Sequence, residues 1–214
     1  MSGSAVVDII DPNLKDATFR QIVTFAEKAK ELDILSNRYK DYLKHDSKKS
    51  QEVLELTRAL LQKQELDTVP LNPIIKEMDT IARDCLNDYI NQTTSFTLWF
   101  MLDKPEISDT DQFDAQVIET VLGLLIQYKT FAVEMLEHFE LYHNTRGKLF
   151  VKYFIYPGVE DIADAIVETD AKQLAEAAQI LIDLKDYYIH IHDQIVKNIE
   201  KMTKSPKKQK HGRS

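Results

Sequence analysis

Six histidines and one cysteine are the side chains of this 214-residue sequence most able to hold a metal or attack a substrate. Glu140 and His143 stand three apart and would share one face of a helix. That spacing is half of a di-iron carboxylate site, which needs Glu-x-x-His on two helices and two further glutamates. No other histidine has an acid three residues before it, so the second half is missing. His190 and His192 are two apart and would point to different sides of a helix. Neither His-Glu-x-x-His nor a Cys/His zinc spacing occurs. Cys85 falls on an apolar stripe and reads as a small core residue in a reducing compartment, although a Cys-His pairing with a distant histidine stays open. The expectation is a protein with no catalytic residues, no metal and no cofactor.

Glycine usage narrows the classes further. Five glycines are present, where average usage of roughly 7% would give about fifteen. Gly3, Gly123, Gly147, Gly158 and Gly212 are too widely spaced to build a phosphate-cradling loop, so Rossmann and P-loop fingerprints are excluded. A sandwich of short strands needs a turn every 8–12 residues and is equally hard to build from so few turn formers.

The elements left are long helices, punctuated by Pro12, Pro70, Pro73, Pro105, Pro157 and Pro206. Asp11-Pro12 reads as an N-cap with proline at the first helical position. The first helix then runs towards Gln64, with a break near His45–Ser50. The second carries Ile75, Met78, Ala82, Cys85, Tyr89, Phe96 and Trp99 at three/four spacing and ends before Pro105. The third runs from about Phe113 to Ile155, with Val117, Val121, Leu124, Tyr128, Phe131, Met135 and Phe139 on one stripe. Tyr156-Pro157-Gly158 breaks it. A short helical turn over Val159–Val167 and a last helix over Asp170–Thr203 follow.

In that last helix Leu174, Leu181, Tyr188, Ile195 and Met202 recur every seven residues, and Ala177, Leu184 and Ile191 fill the second seam position. Ile182, Ile189 and Val196 add a further stripe. The apolar arc then spans about 220°, against the roughly 100° that a surface helix buries. The extra width predicts contact with another subunit. The fold expectation is all-α: an elongated four-helix bundle over residues 13–203, preceded by an extension (1–12) and followed by a basic tail (204–214).

The net charge is −8, yet five of the 27 basic groups (Lys204, Lys207, Lys208, Lys210, Arg213) lie in the last eleven residues without an acid among them. The body is therefore strongly acidic, which argues against nucleic acid as a main partner. The tail reads either as a solvated end or as a nuclear-localisation patch. No run approaches the roughly 20 apolar residues of a membrane span, and the N-terminus lacks a basic signal-peptide region. The expected setting is soluble and intracellular.

Three stretches resemble the 11S proteasome activators, the REG family. Trp99 is followed by Pro105-Glu106-Ile107-Ser108-Asp109 and Phe113 at the tryptophan-to-proline and proline-to-phenylalanine distances of the family's activation loop. Thr145-Arg146-Gly147-Lys148-Leu149 through Tyr156-Pro157-Gly158-Val159-Glu160-Asp161 resembles the end of its third helix and the linker into the fourth. His192-Asp193-Gln194-Ile195-Val196-Lys197-Asn198-Ile199-Glu200-Lys201 is similar to part of its last helix. The resemblance covers roughly Ile74 to Ser214. Within it, Thr110, Asp111 and Gln112 stand where the family usually has glycine and asparagines, and the tail ends His-Gly-Arg-Ser.

The resemblance implies a ring of seven such bundles, a homoheptamer, that caps the core (20S) proteasome without ATP. Its C-terminal residues, here Gly212, Arg213 and Ser214, would enter pockets of the α-ring. An activation loop over 103–113, here Pro105, Glu106, Ile107, Ser108, Asp109, Thr110, Asp111, Gln112 and Phe113, would open the gate and enhance peptide hydrolysis. Lys148 would line the channel. The implied location is cytoplasmic, with the basic tail offering a route to the nucleus. The competing expectation is an oligomeric helical scaffold that touches no protease.

Overall fold

The computed structural model describes residues 12–62, 71–102 and 112–203, with side chains over 23–62, 71–98, 101 and 116–198. Among the described residues there is no strand. Five α-helices follow in order: α1 (Pro12–Tyr39), α2 (Lys48–Gln62), α3 (Pro73–Leu102), α4 (Gln112–Ile155) and α5 (Glu160–Thr203). A single 3-10 turn, Lys40–Leu43, extends α1.

The expected break in the first helix lies between Lys44 and Ser47. Lys44 leaves the helical region at φ −100°, ψ 110°. Ser47 then caps α2, its Oγ accepting the amide of Ser50 at 3.1 Å. The whole stretch thus acts as one long element with a re-initiated second half.

Side-chain pairs fix the topology. Phe25 meets both Phe96 and Tyr188 edge-on, and Lys28 meets Asp88, so α1 lies between α3 and α5. Tyr128 on α4 faces His190 on α5, with its hydroxyl 2.6 Å from Nδ1, while Tyr142 further along faces Asp170. Rising numbers on α4 match falling numbers on α5, so the two are antiparallel. The Arg83 guanidinium lies 4.5 Å from the centre of the Phe139 ring, and Asp79 lies beside His143, which makes α3 and α4 antiparallel too. The result is an up-down-up-down four-helix bundle. At 1.5 Å per residue, the 44-residue α4 and α5 are each about 66 Å long.

α5 is the hub and packs on every other helix. Its two expected seams are buried: Leu174, Leu181, Tyr188 and Ile195, with Ala177, Leu184 and Ile191. Met202 falls outside the described side chains. On α3 the stripe is likewise buried, apart from half-buried Cys85 and from Trp99, whose side chain is not described.

Two expectations are corrected. The buried seam of α4 is Ile118, Leu125, Ala132 and Phe139 together with Val121 and Tyr142. Val117, Leu124 and Phe131 sit one residue out of register, at the edge of the core. The second correction concerns the last helix, which is continuous from Glu160 to Thr203 rather than divided before Asp170. Nothing between Val167 and Asp170 can break it: there is no glycine or proline, and the Thr169 hydroxyl folds back onto the Ala165 carbonyl at 2.7 Å.

Candidate functional site

The turn between α4 and α5 is short. The Tyr156 amide bonds Lys152 O at 2.9 Å and the Val159 amide bonds Tyr156 O at 3.2 Å, so the chain reverses within Tyr156–Val159. Because the two helices have equal length and run antiparallel, the far end of α5 returns to the level of the first turn of α4. α3 also ends there. The anchors of the 103–111 connection, Leu102 and Gln112, therefore share one end of the bundle with Thr203, from which the tail departs.

Of the expected loop residues, Pro105, Glu106, Ile107, Ser108, Asp109, Thr110 and Asp111 lie outside the described residues. Gln112 and Phe113 open α4. Gly212, Arg213 and Ser214 also lie outside the described residues. Lys148 is exposed near the opposite end of α4.

That opposite end holds a buried polar network which the sequence did not announce. Asp170, fully buried on α5, accepts hydrogen bonds from three side chains on two other helices. Arg146 Nε donates to Oδ1 at 2.7 Å, Tyr142 OH donates to Oδ1 at 2.9 Å, and Thr57 Oγ1 on α2 donates to Oδ2 at 3.1 Å. Asn72 Nδ2 in turn reaches Thr57 Oγ1 and Val53 O, both at 3.0 Å. Asn72 also caps α3, its Oδ1 accepting the Ile74 amide at 3.0 Å ahead of Pro73. Burial and the neighbouring Asp170 carboxylate push the Tyr142 phenol above its usual range, so it serves only as a donor. A satisfied network of this kind fixes a unique packing of α2 on α4 and α5. Leu54, Leu61, Phe150, Ile166 and Val167 form a second apolar cluster around it.

Next to this network is Asp79 on α3, itself buried. Its Oδ1 accepts from Gln173 Nε2 at 2.8 Å, while its Oδ2 has no hydrogen-bond partner among the described residues. Burial is the main reason that its carboxyl is pushed up to about 6. His143 is held below its ordinary value by burial and by the Arg83 and Arg146 cations. Glu140 and His143 are both exposed, and among the described residues no group of three His, Cys, Asp or Glu side chains is placed to hold a metal. Burial also raises the Cys85 thiol, which keeps it from being a ready nucleophile. No described helix is long and apolar enough to cross a membrane.

The third stripe of α5 is where the sequence put it. Ile182 is half-buried, and Ile189 and Val196 are each 50% exposed. Ile126, Phe131, Val133 and Leu141 on α4 are exposed as well, Leu141 by 63%. Exposed apolar side chains thus stand on both long helices.

Comparison with known proteins adds three findings. The family model described as proteasome activator PA28, C-terminal, matches residues 68–213. Proteasome activator complex subunit 3 from Homo sapiens, and the same protein from Gallus gallus, is 32% identical over 113 residues, covering 53% of this chain and 44% of theirs. The match thus spans less than half the length of these curated relatives. The crystal structure of the 11S subunit of the Plasmodium falciparum proteasome, PA28, has the same fold, with a TM-score of 0.74 at 18% identity over 95% of this chain and 96% of that one. The likeness in fold includes α1 and α2, which precede the family match.

Proposed function

Because the chain belongs to the PA28 proteasome activator family, we propose that it is an ATP-independent, non-enzymatic activator of the core (20S) proteasome. Seven copies form a ring that caps the core particle's α-ring. Gly212, Arg213 and Ser214 enter pockets of that ring, and the loop Pro105–Phe113 displaces the gate, so that peptides reach the interior faster. Lys148 lines the channel. The protein works in the cytoplasm, and its basic tail gives it access to the nucleus.

The family match across 68–213 carries this reading, since it spans both the α3–α4 connection and the last helix. Two features of the fold support it. The loop anchors and the root of the tail lie at one end of the bundle, so both elements can reach one docking surface. The exposed Ile189 and Val196 give neighbouring subunits an apolar seam.

The division of labour follows from physical chemistry. One tail contact can be weak, because a ring raises the effective concentration of the other six. Docking alone, however, shifts no equilibrium between closed and open gates. A contact made only with the open gate does so, and a loop held between two helix ends is suited to that task.

The test is hydrolysis of a fluorogenic peptide by latent core proteasome without ATP, with and without this protein, using a form truncated after Gly212 as control. Stimulation that disappears on truncation supports the activator role. A well-assembled ring that stimulates nothing overturns it in favour of a helical scaffold.

A further inference from the structure

Among the described residues, one carboxylate oxygen in the core of the bundle has no hydrogen-bond partner. Asp79 Oδ2 lies 3.9 Å from His143 Nε2, too far for a hydrogen bond and near enough for one after a small side-chain rotation. The Asp79 side chain is 7% exposed, so water does not provide bulk solvation for the charge, whereas His143 opens to solvent. We propose that Asp79 and His143 form a proton-operated latch, in which a proton taken up by the Asp79 carboxyl is donated as a hydrogen bond to His143 Nε2 and fastens α3 to α4.

The surroundings decide where the proton sits. Around the carboxylate are Arg83 on α3, His143, Tyr142 and Arg146 on α4, and Asp170 with Gln173 on α5; among the described residues, no charge from α1 or α2 bears on it. Arg146 is committed to Asp170, and the Arg83 guanidinium lies over Phe139. The fixed Asp170 charge disfavours a second carboxylate beside it. Burial and the two arginines disfavour an imidazolium at position 143. A neutral imidazole facing a protonated carboxyl is the arrangement that satisfies both constraints, with Nδ1 carrying the histidine proton.

The direction with pH follows from linkage. A carboxyl raised above its unfolded value costs stability fully at pH above about 6, and that cost is relieved as pH falls through 6 towards 3.8. The latch therefore closes on mild acidification, before ordinary surface carboxylates titrate. It sits at the end of the bundle remote from the 103–111 connection, where α2 is also pinned. Acidification should tighten that end first.

Urea unfolding at one fixed subunit concentration, at pH 7.5 and 5.5, tests the proposal with Asp79→Asn and His143→Leu. The asparagine is permanently neutral and can donate to His143 while accepting from Gln173. Its unfolding midpoint should exceed that of the unmodified protein at pH 7.5, with the gap narrowing at pH 5.5. In the His143→Leu background the narrowing should be smaller, because burial still raises the carboxyl and only the hydrogen bond to His143 is lost. A gap that is equal at both pH values means that Asp79 does not titrate there, and overturns the proposal. A gap that closes equally without His143 overturns the latch. If either variant fails to fold, hydrogen exchange of the unmodified protein decides. After correction for the intrinsic pH dependence, segments 75–83 and 138–146 should be better protected at pH 5.5 than at 7.5; unchanged or reduced protection overturns the latch.

Discussion

Arg146 Nε and Asp170 Oδ1 meet at 2.7 Å wholly inside the bundle, with the two side chains 6% and 0% exposed. Each charge has lost its water and depends on the other, together with Tyr142 and Thr57, for solvation. Such a pair adds little net stability when intact, but losing one partner leaves a bare buried charge. Arg146→Ala is therefore expected to cost about 3–5 kcal/mol in urea unfolding. Thr57→Val, which removes one of several donors to Asp170, should cost about 1 kcal/mol. Equal losses for the two would show that Asp170 is not the centre of the network.

Tyr89 presents the opposite case. Its ring is fully buried against Tyr188 at a centroid distance of 4.9 Å, yet its hydroxyl has no hydrogen-bond partner among the described residues. Tyr89→Phe keeps the ring and removes a desolvated polar group. The variant should be as stable as the parent, or more stable by up to about 1 kcal/mol. Calorimetric unfolding checks the sign, and a clear loss of stability would mean that the hydroxyl is bonded after all.

Asn72 holds α3 from its first turn and reaches back to α2. Asn72→Ala removes the cap and the bridge from its amide to the Val53 carbonyl and the Thr57 hydroxyl. A cap alone is worth about 1 kcal/mol, and each lost hydrogen bond adds about 0.5–1.5 kcal/mol. Limited proteolysis should then cut near residues 63–72 earlier than in the parent; an unchanged cleavage pattern would deny Asn72 this role.

The proposed assembly would use a different surface. Ile189→Asp with Val196→Asp sets two charges on the half-exposed stripe of α5 without touching its buried seams. The proposed ring of seven 24.8 kDa subunits would weigh about 170 kDa, and the double variant should sediment as one or two subunits with an unchanged circular dichroism spectrum. A ring of full size would move the interface elsewhere.

For the gate, loop and tail variants should separate. Removing Arg213 and Ser214 should weaken proteasome binding and spare the ring, while Asp111→Tyr should spare binding and reduce peptide hydrolysis. Surface-immobilised core particles measure the first and fluorogenic peptides the second. Loop variants that do not bind at all would end the proposed division of labour.

Much of the fold was legible because periodicity is a direct readout of burial. The seams of α5 and the stripe of α3 are long and repetitive, and no single residue decides them. On α4 the same reading was right at Val121 and Phe139 and went one residue astray at Val117, Leu124 and Phe131. Phe131 is large and Ala132 small, so the pattern favoured the aromatic, although Phe131 is 37% exposed and Ala132 is buried. Size attracts the eye, whereas close approach of two helices selects alanine. Asp170 misled in another way. A short acid after Thr169 has the look of a helix start, and its partners Thr57, Tyr142 and Arg146 lie 24 to 113 residues away. No local pattern reveals a polar group that is satisfied at such range. Asn72-Pro73 did carry a local signal, the same one as Asp11-Pro12, and could have been read as a cap.

The equal lengths of α4 and α5 work as a ruler. One added helical turn in either alone would displace the root of the tail against the loop anchors by about 5.4 Å. Insertions should therefore survive in this lineage in two ways: in the segments at 44–47, 63–72 and 103–111, or as matched pairs in both long helices. A designer wishing to change the reach of the tail has a simple rule. Residues added after Thr203 alter reach alone, while residues added before it alter reach and alignment together.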